Sequence, residues 1–252
     1  MKAITVENLS VSYRNNMALW ELNLTADPGQ IIGIVGPNGS GKSTFLKSIL
    51  GLIPRDSGSI KYFNNLSIEE ARPKIAYVPQ REDIDWDFPI TALDVVLMGL
   101  TPRLGLFKWA SAEDKAFCLE CLKRVGLKED FATRHIGELS GGQQQRVFIA
   151  RALAQKADIY MLDEPFSAID SVSEEIILHL FLELKKQGKT IFIVHHDLFS
   201  VQKYFDSVVL LNSRLVAYGK TQDVLTGPNL AAAYGSQASP LVEALQKLQE
   251  NT

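Results

Sequence analysis

The sequence predicts an α/β fold in which an N-terminal antiparallel β region precedes a mostly parallel sheet that carries an inserted helical subdomain. Three observations predict it. Short strand-like patterns fill the chain up to Val35, strand-like and helix-like runs alternate again after about residue 157, and the stretch from Ala92 to Lys156 reads as helix.

Taken in order, AITVENLSVSY and LWELNLTA alternate apolar with polar residues, as half-buried strands do. IIGIV at 31–35 is apolar throughout and reads as a buried strand. A Gly-rich turn follows, then KSTFLKSILGLI, whose Phe45, Leu46, Ile49 and Leu50 recur with a helical period. The middle supplies LDVVLMGL, DKAFCLECLKRVG and GQQQRVFIARALAQ. Strands return as IYMLD, TIFIVHH and SVVLL, separated by helical EEIILHLFLELKKQG and LFSVQKYF. In the tail SPLVEALQKLQEN, Ser239 is placed to cap a helix and Pro240 to occupy its first position. The expected organisation is one domain over 1–236, with its helical subdomain at about 90–157, and a helical tail over 237–252.

The composition narrows the class. With 252 residues, 46% hydrophobic and 22% charged, the chain reads as an ordinary globular protein with a sizeable core. Its 26 basic and 29 acidic residues give a formal charge of −3 and no basic stripe, so no nucleic acid partner is expected. No apolar run approaches the roughly 18 residues of a membrane span, and MKAITVENLS lacks the apolar stretch of a signal peptide. A cytosolic location is the expectation. Cys118 and Cys121 form a C-x2-C at helical i, i+3 spacing with no second pair to complete a metal site, and they read as core cysteines.

GPNGSGKST, comprising Gly36, Pro37, Asn38, Gly39, Ser40, Gly41, Lys42, Ser43 and Thr44, fits G-x4-G-K-[ST] between a strand and a helix. Glycines let backbone N–H groups turn toward phosphate oxygens, and the following helix adds its positive end. Lys42 is placed for the β- and γ-phosphates of a nucleotide, Ser43 for Mg2+ and Thr44 for the α-phosphate. IYMLDE then ends an apolar strand in two carboxylates, of which Asp163 can organise Mg2+ and Glu164 can orient and deprotonate water. In LSGGQQQRVFIARAL, Ser140 reads as a helix cap. Helix starts do not favour paired glycines, so Gly141 and Gly142 suggest a second phosphate-facing N-terminus.

At this point the sequence resembles the ATP-binding subunits of ABC transporters. GPNGSGKST resembles their Walker A, IYMLDE their Walker B and LSGGQ, Ser140 to Gln143 with the preceding leucine, their signature motif. Gln80 in YVPQ matches the Q-loop glutamine, SAID ending in Asp170 the D-loop, His196 the switch histidine, and Tyr13 the aromatic that stacks on adenine. The family D-loop usually has leucine where Ile169 stands, a volume-conserving change.

The resemblance covers roughly Met1 to Tyr234 and implies a P-loop NTPase (RecA-like) core. It also implies ATP and Mg2+ as ligands, with Ser43, Gln80 and Asp163 around the metal. Two copies would pair head to tail, each ATP lying between one copy's Walker A and the other's signature motif. Glu164, His196, Gln80 and Lys42 would then serve hydrolysis. His195, beside His196 on an extended segment, points to the opposite face and reads as packed or capping; metal binding by the HHD run is the alternative.

Within the family the chain most resembles the ATPases of manganese, zinc and iron importers. The residues are PQREDIDWDFPITALDVVLMG, RHIGELSGGQQQRVFIARALAQ, DEPFSAID and VHHDLFSVQKYFDSVVLLN. Such systems imply a polytopic permease, an extracytoplasmic metal-binding protein and a peripheral place on the cytoplasmic face of the inner (plasma) membrane. Manganese is the first expectation for the cargo, zinc or iron next. Rival readings are transport of another substrate, a soluble ABC ATPase of DNA repair or translation, and a P-loop kinase or GTPase. Against the last stands LSGGQ.

EDIDWDFPIT, Glu82 to Thr91, sets four carboxylates around Trp86 and Phe88 just after Gln80. By the resemblance it belongs to the groove that receives a permease helix. Trp86 and Phe88 would be anchors, and the carboxylates would meet basic residues. The competing reading is that either aromatic only fills a core seam.

Overall fold

The computed structural model describes residues 1–14, 16–105, 108–238 and 242. Of the helical tail expected over 237–252, Gln237, Ala238 and Val242 are described and the rest lies outside the described residues. The chain divides into two compact units, Met1–Ala71 with Phe192–Thr252, and Arg72–Ile191.

The first unit opens with β1 (Ile4–Tyr13), β2 (Asn16–Ala26), β3 (Ile31–Val35), α1 (Lys42–Ile49), β4 (Ser57–Tyr62) and α2 (Ile68–Ala71). Strands β1, β2 and β4 form an antiparallel sheet in the order β2-β1-β4. The alternation of β1 fails at Glu7 and Asn8, both exposed, after which Leu9, Ser10 and Val11 are all buried. A bulge explains it: the register with β2 shifts between Val6 and Leu9, and Asn8 takes a φ of 51°. β4 was not expected from the sequence.

The second unit contains β5 (Ile75–Val78), α3 (Ala92–Met98), α4 (Thr101–Leu104), α5 (Ala112–Arg124), α6 (Gly141–Ala154), β6 (Ile159–Asp163) and α7 (Ser171–Lys186). Its boundary falls inside β7 (Thr190–Val194), after which the first unit resumes with α8 (Leu198–Tyr204), β8 (Ser207–Asn212), β9 (Arg214–Lys220), α9 (Thr221–Val224) and α10 (Gly227–Tyr234).

In the first unit β3 pairs parallel with β8, and β8 antiparallel with β9; in the second β5 pairs parallel with β6. The strands β3 and β6 are buried along their whole length. Each Ile or Leu so buried contributes about 1.5–3 kcal/mol. Polar chemistry is thereby excluded from their interiors and confined to their ends.

Helices α3, α5 and α6 pack together in the second unit, as the helical reading of the middle expected. Thr91, Ser111 and Ser140 each close a capping box at their N-termini. Helix α1 is shorter than its apolar pattern suggests, ending at Ile49. Gly51, with a φ of 65°, turns the chain out of the helix.

Candidate functional site

In the first unit the sequence after β3 forms a cradle. Gly36 has a φ of 153°, and a Cβ there would lie 2.1 Å from the Leu211 carbonyl oxygen and 2.7 Å from Ser40 Oγ. No other residue fits. Gly41, with a φ of 94°, is the N-cap of α1 and offers no side-chain cap, leaving the first turn of α1 to bond an anion through its backbone. Lys42 is buried, its Nζ donating to the carbonyls of Gly36 and Pro37 at 3.0 Å each, so the ammonium is folded over the loop.

Ser40 is 2% exposed and its Oγ has no hydrogen-bond partner among the described residues, a buried polar atom beside Gly36. Asn38 and Gly39 are exposed, and nothing lies within 4 Å of where a Gly39 Cβ would be. Ser43 and Thr44 occupy the first turn of α1, half-buried. The donor set therefore fits a polyphosphate, and the Ser43 hydroxyl adds an oxygen ligand of the kind Mg2+ takes.

The cradle is held from behind. Ser213, in the turn between β8 and β9, donates its N–H to the Ser40 carbonyl at 2.9 Å, and its own carbonyl accepts from Trp20 N–H at 2.8 Å. Sequence reasoning missed Ser213, since nothing local marks a backbone partner so distant in the chain. Tyr13 ends β1 at 49% exposure, open for a planar group to stack. His196 is exposed whereas His195 is 6% exposed, as alternation along an extended segment requires. The His195 ring lies 5.8 Å from that of Phe205, and burial, followed by the His196 charge, lowers its pKa to about 4. The packed reading of His195 fits these facts.

The second unit holds the carboxylates. Asp163 ends β6 completely buried. Burial first, then the negative charges of Asp163 and Asp83, pushes the Tyr77 phenol above its ordinary range. Glu164 follows with a φ of 49°, a left-handed conformation that costs a non-glycine residue energy. Gln80 Nε2 donates to Glu164 Oε2 at 3.4 Å, so these two expected site residues meet within the unit.

At the start of α6, Ser140 Oγ accepts from the Gln143 N–H at 3.3 Å, and Gln143 Oε1 accepts from the Ser140 N–H at 2.9 Å. The paired glycines have a packing reason that the sequence did not suggest. A Cβ on Gly142 would lie 2.6 Å from the Ala168 carbonyl oxygen, and one on Gly141 3.2 Å from Arg81 Nε. Asp170 caps α7, accepting from the Ser173 N–H at 3.0 Å, and that bond holds its carboxyl below the usual range.

EDIDWDFPIT lines an apolar groove of about 180 Å³ with Ile136 and Phe148. Trp86 is half-buried, edge-on to Phe148 at 5.4 Å, with its Nε1 donating to the Arg81 carbonyl at 3.0 Å. Phe88 is 55% exposed, and Glu82, Asp83, Asp85 and Asp87 all face solvent. Arg81, which sequence reasoning passed over, joins this segment to α6.

Cys118 and Cys121 are buried in α5, their thiols pushed up by burial to about 11 and about 12. Among the described residues no group of three or more His, Cys, Asp or Glu side chains is placed to hold a metal ion. Among the same residues no helix is long and apolar enough to cross a membrane.

Comparison with known proteins follows the same line. The family model described as ABC transporter matches residues 19–167. The manganese transport system ATP-binding protein MntB of Halalkalibacterium halodurans is 53% identical over 231 residues, 92% of this chain and 91% of that protein. The zinc transport system ATP-binding protein TroB of Treponema pallidum is 46% identical, covering 94% of this chain and 88% of its own. Among solved structures, a dimeric ATP-binding cassette in a post-hydrolysis state with ADP and Pi aligns with a TM-score of 0.75 at 32% identity, over 86% of this chain and 98% of that one. With the family model matching more than half of the chain and relatives of about half identity spanning nearly its whole length, the chain belongs to the ABC transporter family.

Proposed function

We propose that this chain binds ATP with Mg2+, hydrolyses it as a head-to-tail pair of copies, and thereby energises import of a transition-metal ion. Manganese is the first choice and zinc or iron the next. The observation that carries the ATPase reading is the cradle from Gly36 to Thr44, with its buried Lys42 and its helix start capped by no side chain. The cargo is supported by the names of the manganese and zinc relatives. Polytopic permease subunits are the proposed partners, with this chain peripheral on the cytoplasmic face of the inner (plasma) membrane and an extracytoplasmic metal-binding protein delivering the ion. No nucleic acid takes part.

Each residue has a proposed task. Backbone N–H groups of the cradle and Lys42 neutralise the phosphates, and Tyr13 stacks on the adenine. Ser43, Asp163 and Gln80 would hold Mg2+, which would supply positive charge to the phosphate oxygens. Glu164 orients a water and takes its proton as the water oxygen bonds to the γ-phosphorus. The bond to the β–γ bridging oxygen breaks, and ADP leaves with the electron pair. His196 contacts the γ-phosphate, and Gln80, which donates to Glu164, helps to position the attacking water. The partner copy contributes Ser140, Gly141, Gly142 and Gln143, and Asp170 lies in the segment that links the two copies. Exposed Phe88 and half-buried Trp86 seat a permease helix, with the surrounding carboxylates facing its basic residues.

Glu164→Gln tests the chemistry: turnover should vanish while ATP binding persists. Full activity in that variant would remove Glu164 from its role. For the cargo, ATPase stimulation of the reconstituted complex with its binding protein should be strongest with Mn2+ when compared with Zn2+ and Fe2+. Equal response to all three, or to none, would refute it.

A further inference from the structure

The first turn of α6 is held from one side by a single guanidinium. Arg81 Nε and Nη2 both donate to Gln144 Oε1, at 3.2 and 3.1 Å. Gln144 is 3% exposed and passes the link on, its Nε2 donating to the Ile136 carbonyl at 3.0 Å. Arg81 also lies 5.6 Å from the Trp86 ring centroid, and its carbonyl accepts the indole N–H. A Cβ on Gly141 would come within 3.3 Å of the Arg81 guanidinium carbon, and one on Gly137 within 2.8 Å of the Trp86 carbonyl oxygen. Gly137 and Gly141, on either side of Ser140 in the chain, are therefore shaped to the Arg81–Trp86 pair. The residue before Arg81 is Gln80, which reaches Glu164.

We propose that Arg81 is a positioning residue that sets the orientation of Ser140 to Gln143 according to what occupies the groove at Trp86, so that partner docking and closure on nucleotide are coupled through one guanidinium. The inference rests on the reading of the chain as one half of an ATP sandwich docked to a permease. The physical basis is planarity. Two N–H groups of one rigid fork on a single oxygen fix direction as well as distance, which the single flexible ammonium of lysine does not. A displaced Trp86 ring moves the face on which the guanidinium rests and the carbonyl behind it, and the buried Gln144 amide must follow or lose its partner.

The test uses the full complex in proteoliposomes, with Arg81→Lys, Arg81→Ala, Gln144→Ala and the double variant Arg81→Ala/Gln144→Ala. Binding of a fluorescent ATP analogue to the isolated chain, which reads the Walker A cradle, should stay within about two-fold of wild type, while stimulation of ATPase by the metal-loaded binding protein falls about ten-fold. Arg81→Lys should fail like Arg81→Ala, and the double variant should be no worse than either single one. Stimulation retained in Arg81→Lys, or losses that add in the double variant, would overturn the proposal. So would a drop in kcat with the stimulation ratio unchanged, the mark of a merely structural residue. Should the wild-type complex itself show no ATPase, or the Glu164→Gln chain not pair on ATP, the sandwich reading fails first and takes this inference with it.

Discussion

Trp86 and Phe88 share a groove but differ in what holds them, and truncating each to alanine separates packing from docking. Trp86→Ala removes a hydrogen bond to the Arg81 carbonyl, an edge-on contact with Phe148 and the Arg81 contact on its face. These are worth about 1, about 1 and about 0.5 kcal/mol. Because the indole is only half-buried, the total of about 2–3 kcal/mol lies at or below the roughly 3–5 kcal/mol of a fully buried Trp→Ala change. Phe88, at 55% exposure, has less than half of its burial to lose, about 1 kcal/mol. Urea unfolding followed by circular dichroism should therefore show a midpoint lowered by about 1–1.5 M for Trp86→Ala and by about 0.5 M for Phe88→Ala, with a slope of about 2 kcal/mol/M. If Phe88 is an anchor, Phe88→Ala should nevertheless weaken association with the permease by about thirty-fold, the equivalent of about 2 kcal/mol. Wild-type association and uptake in Phe88→Ala would refute docking at this groove. An unchanged midpoint in Trp86→Ala would refute the packing argument.

Two further outcomes are expected. His195 is neutral in the fold at pH values where the unfolded chain binds a proton, since its pKa falls from 6.5 to about 4. The stability it confers is complete above pH 6.5 and is lost as pH falls toward 4, about 3 kcal/mol in all. His195→Gln should flatten the acid limb of a stability–pH curve, and an unaltered limb would disprove the assignment. The thiols of Cys118 and Cys121, raised to about 11 and about 12, should resist a thiol reagent at neutral pH in the folded protein and both react in urea; rapid labelling of the native chain would contradict their burial.

The sequence made the buried strands and the site motifs legible for one physical reason. β3 is apolar from end to end and β6 is apolar up to its last residue, Asp163, so both the strand and the place where polar chemistry begins are written in adjacent residues. β9 was hidden although Leu215 to Tyr218 is an apolar run, because four apolar residues without alternation read as strand or helix alike. The bulge at Asn8 was hidden because an extra residue in the register depends on the partner strand. Arg81 and Ser213 were hidden more deeply. Arg81 meets Gln144 across 63 positions of chain, and Ser213 acts through its backbone, for which no side chain gives a signal. The glycine pair at 141–142 was legible as unusual, but one of its reasons, contact with Arg81 and Ala168, lies in residues that only folding brings near.

Glu164 shows how the fold keeps the test of its own chemistry clean. Its φ of 49° costs about 1–2 kcal/mol for any residue with a Cβ, so the conformation persists only because β6 and the turn after it hold it there. The turn is fixed in part by the Ser167 N–H donating to the Glu164 carbonyl at 3.2 Å. Glutamine has the same shape, meets the same backbone cost and still offers an oxygen to Gln80 Nε2, which now lies 3.4 Å from the carboxylate. What Glu164→Gln takes away is the basic oxygen and the negative charge. Its unfolding midpoint should thus match that of wild type, and a loss of turnover at unchanged stability can be assigned to the missing base and not to a relaxed backbone. A marked change in stability would mean that the charge of Glu164 helps to hold the turn, and the variant would then report on the fold as well as the reaction.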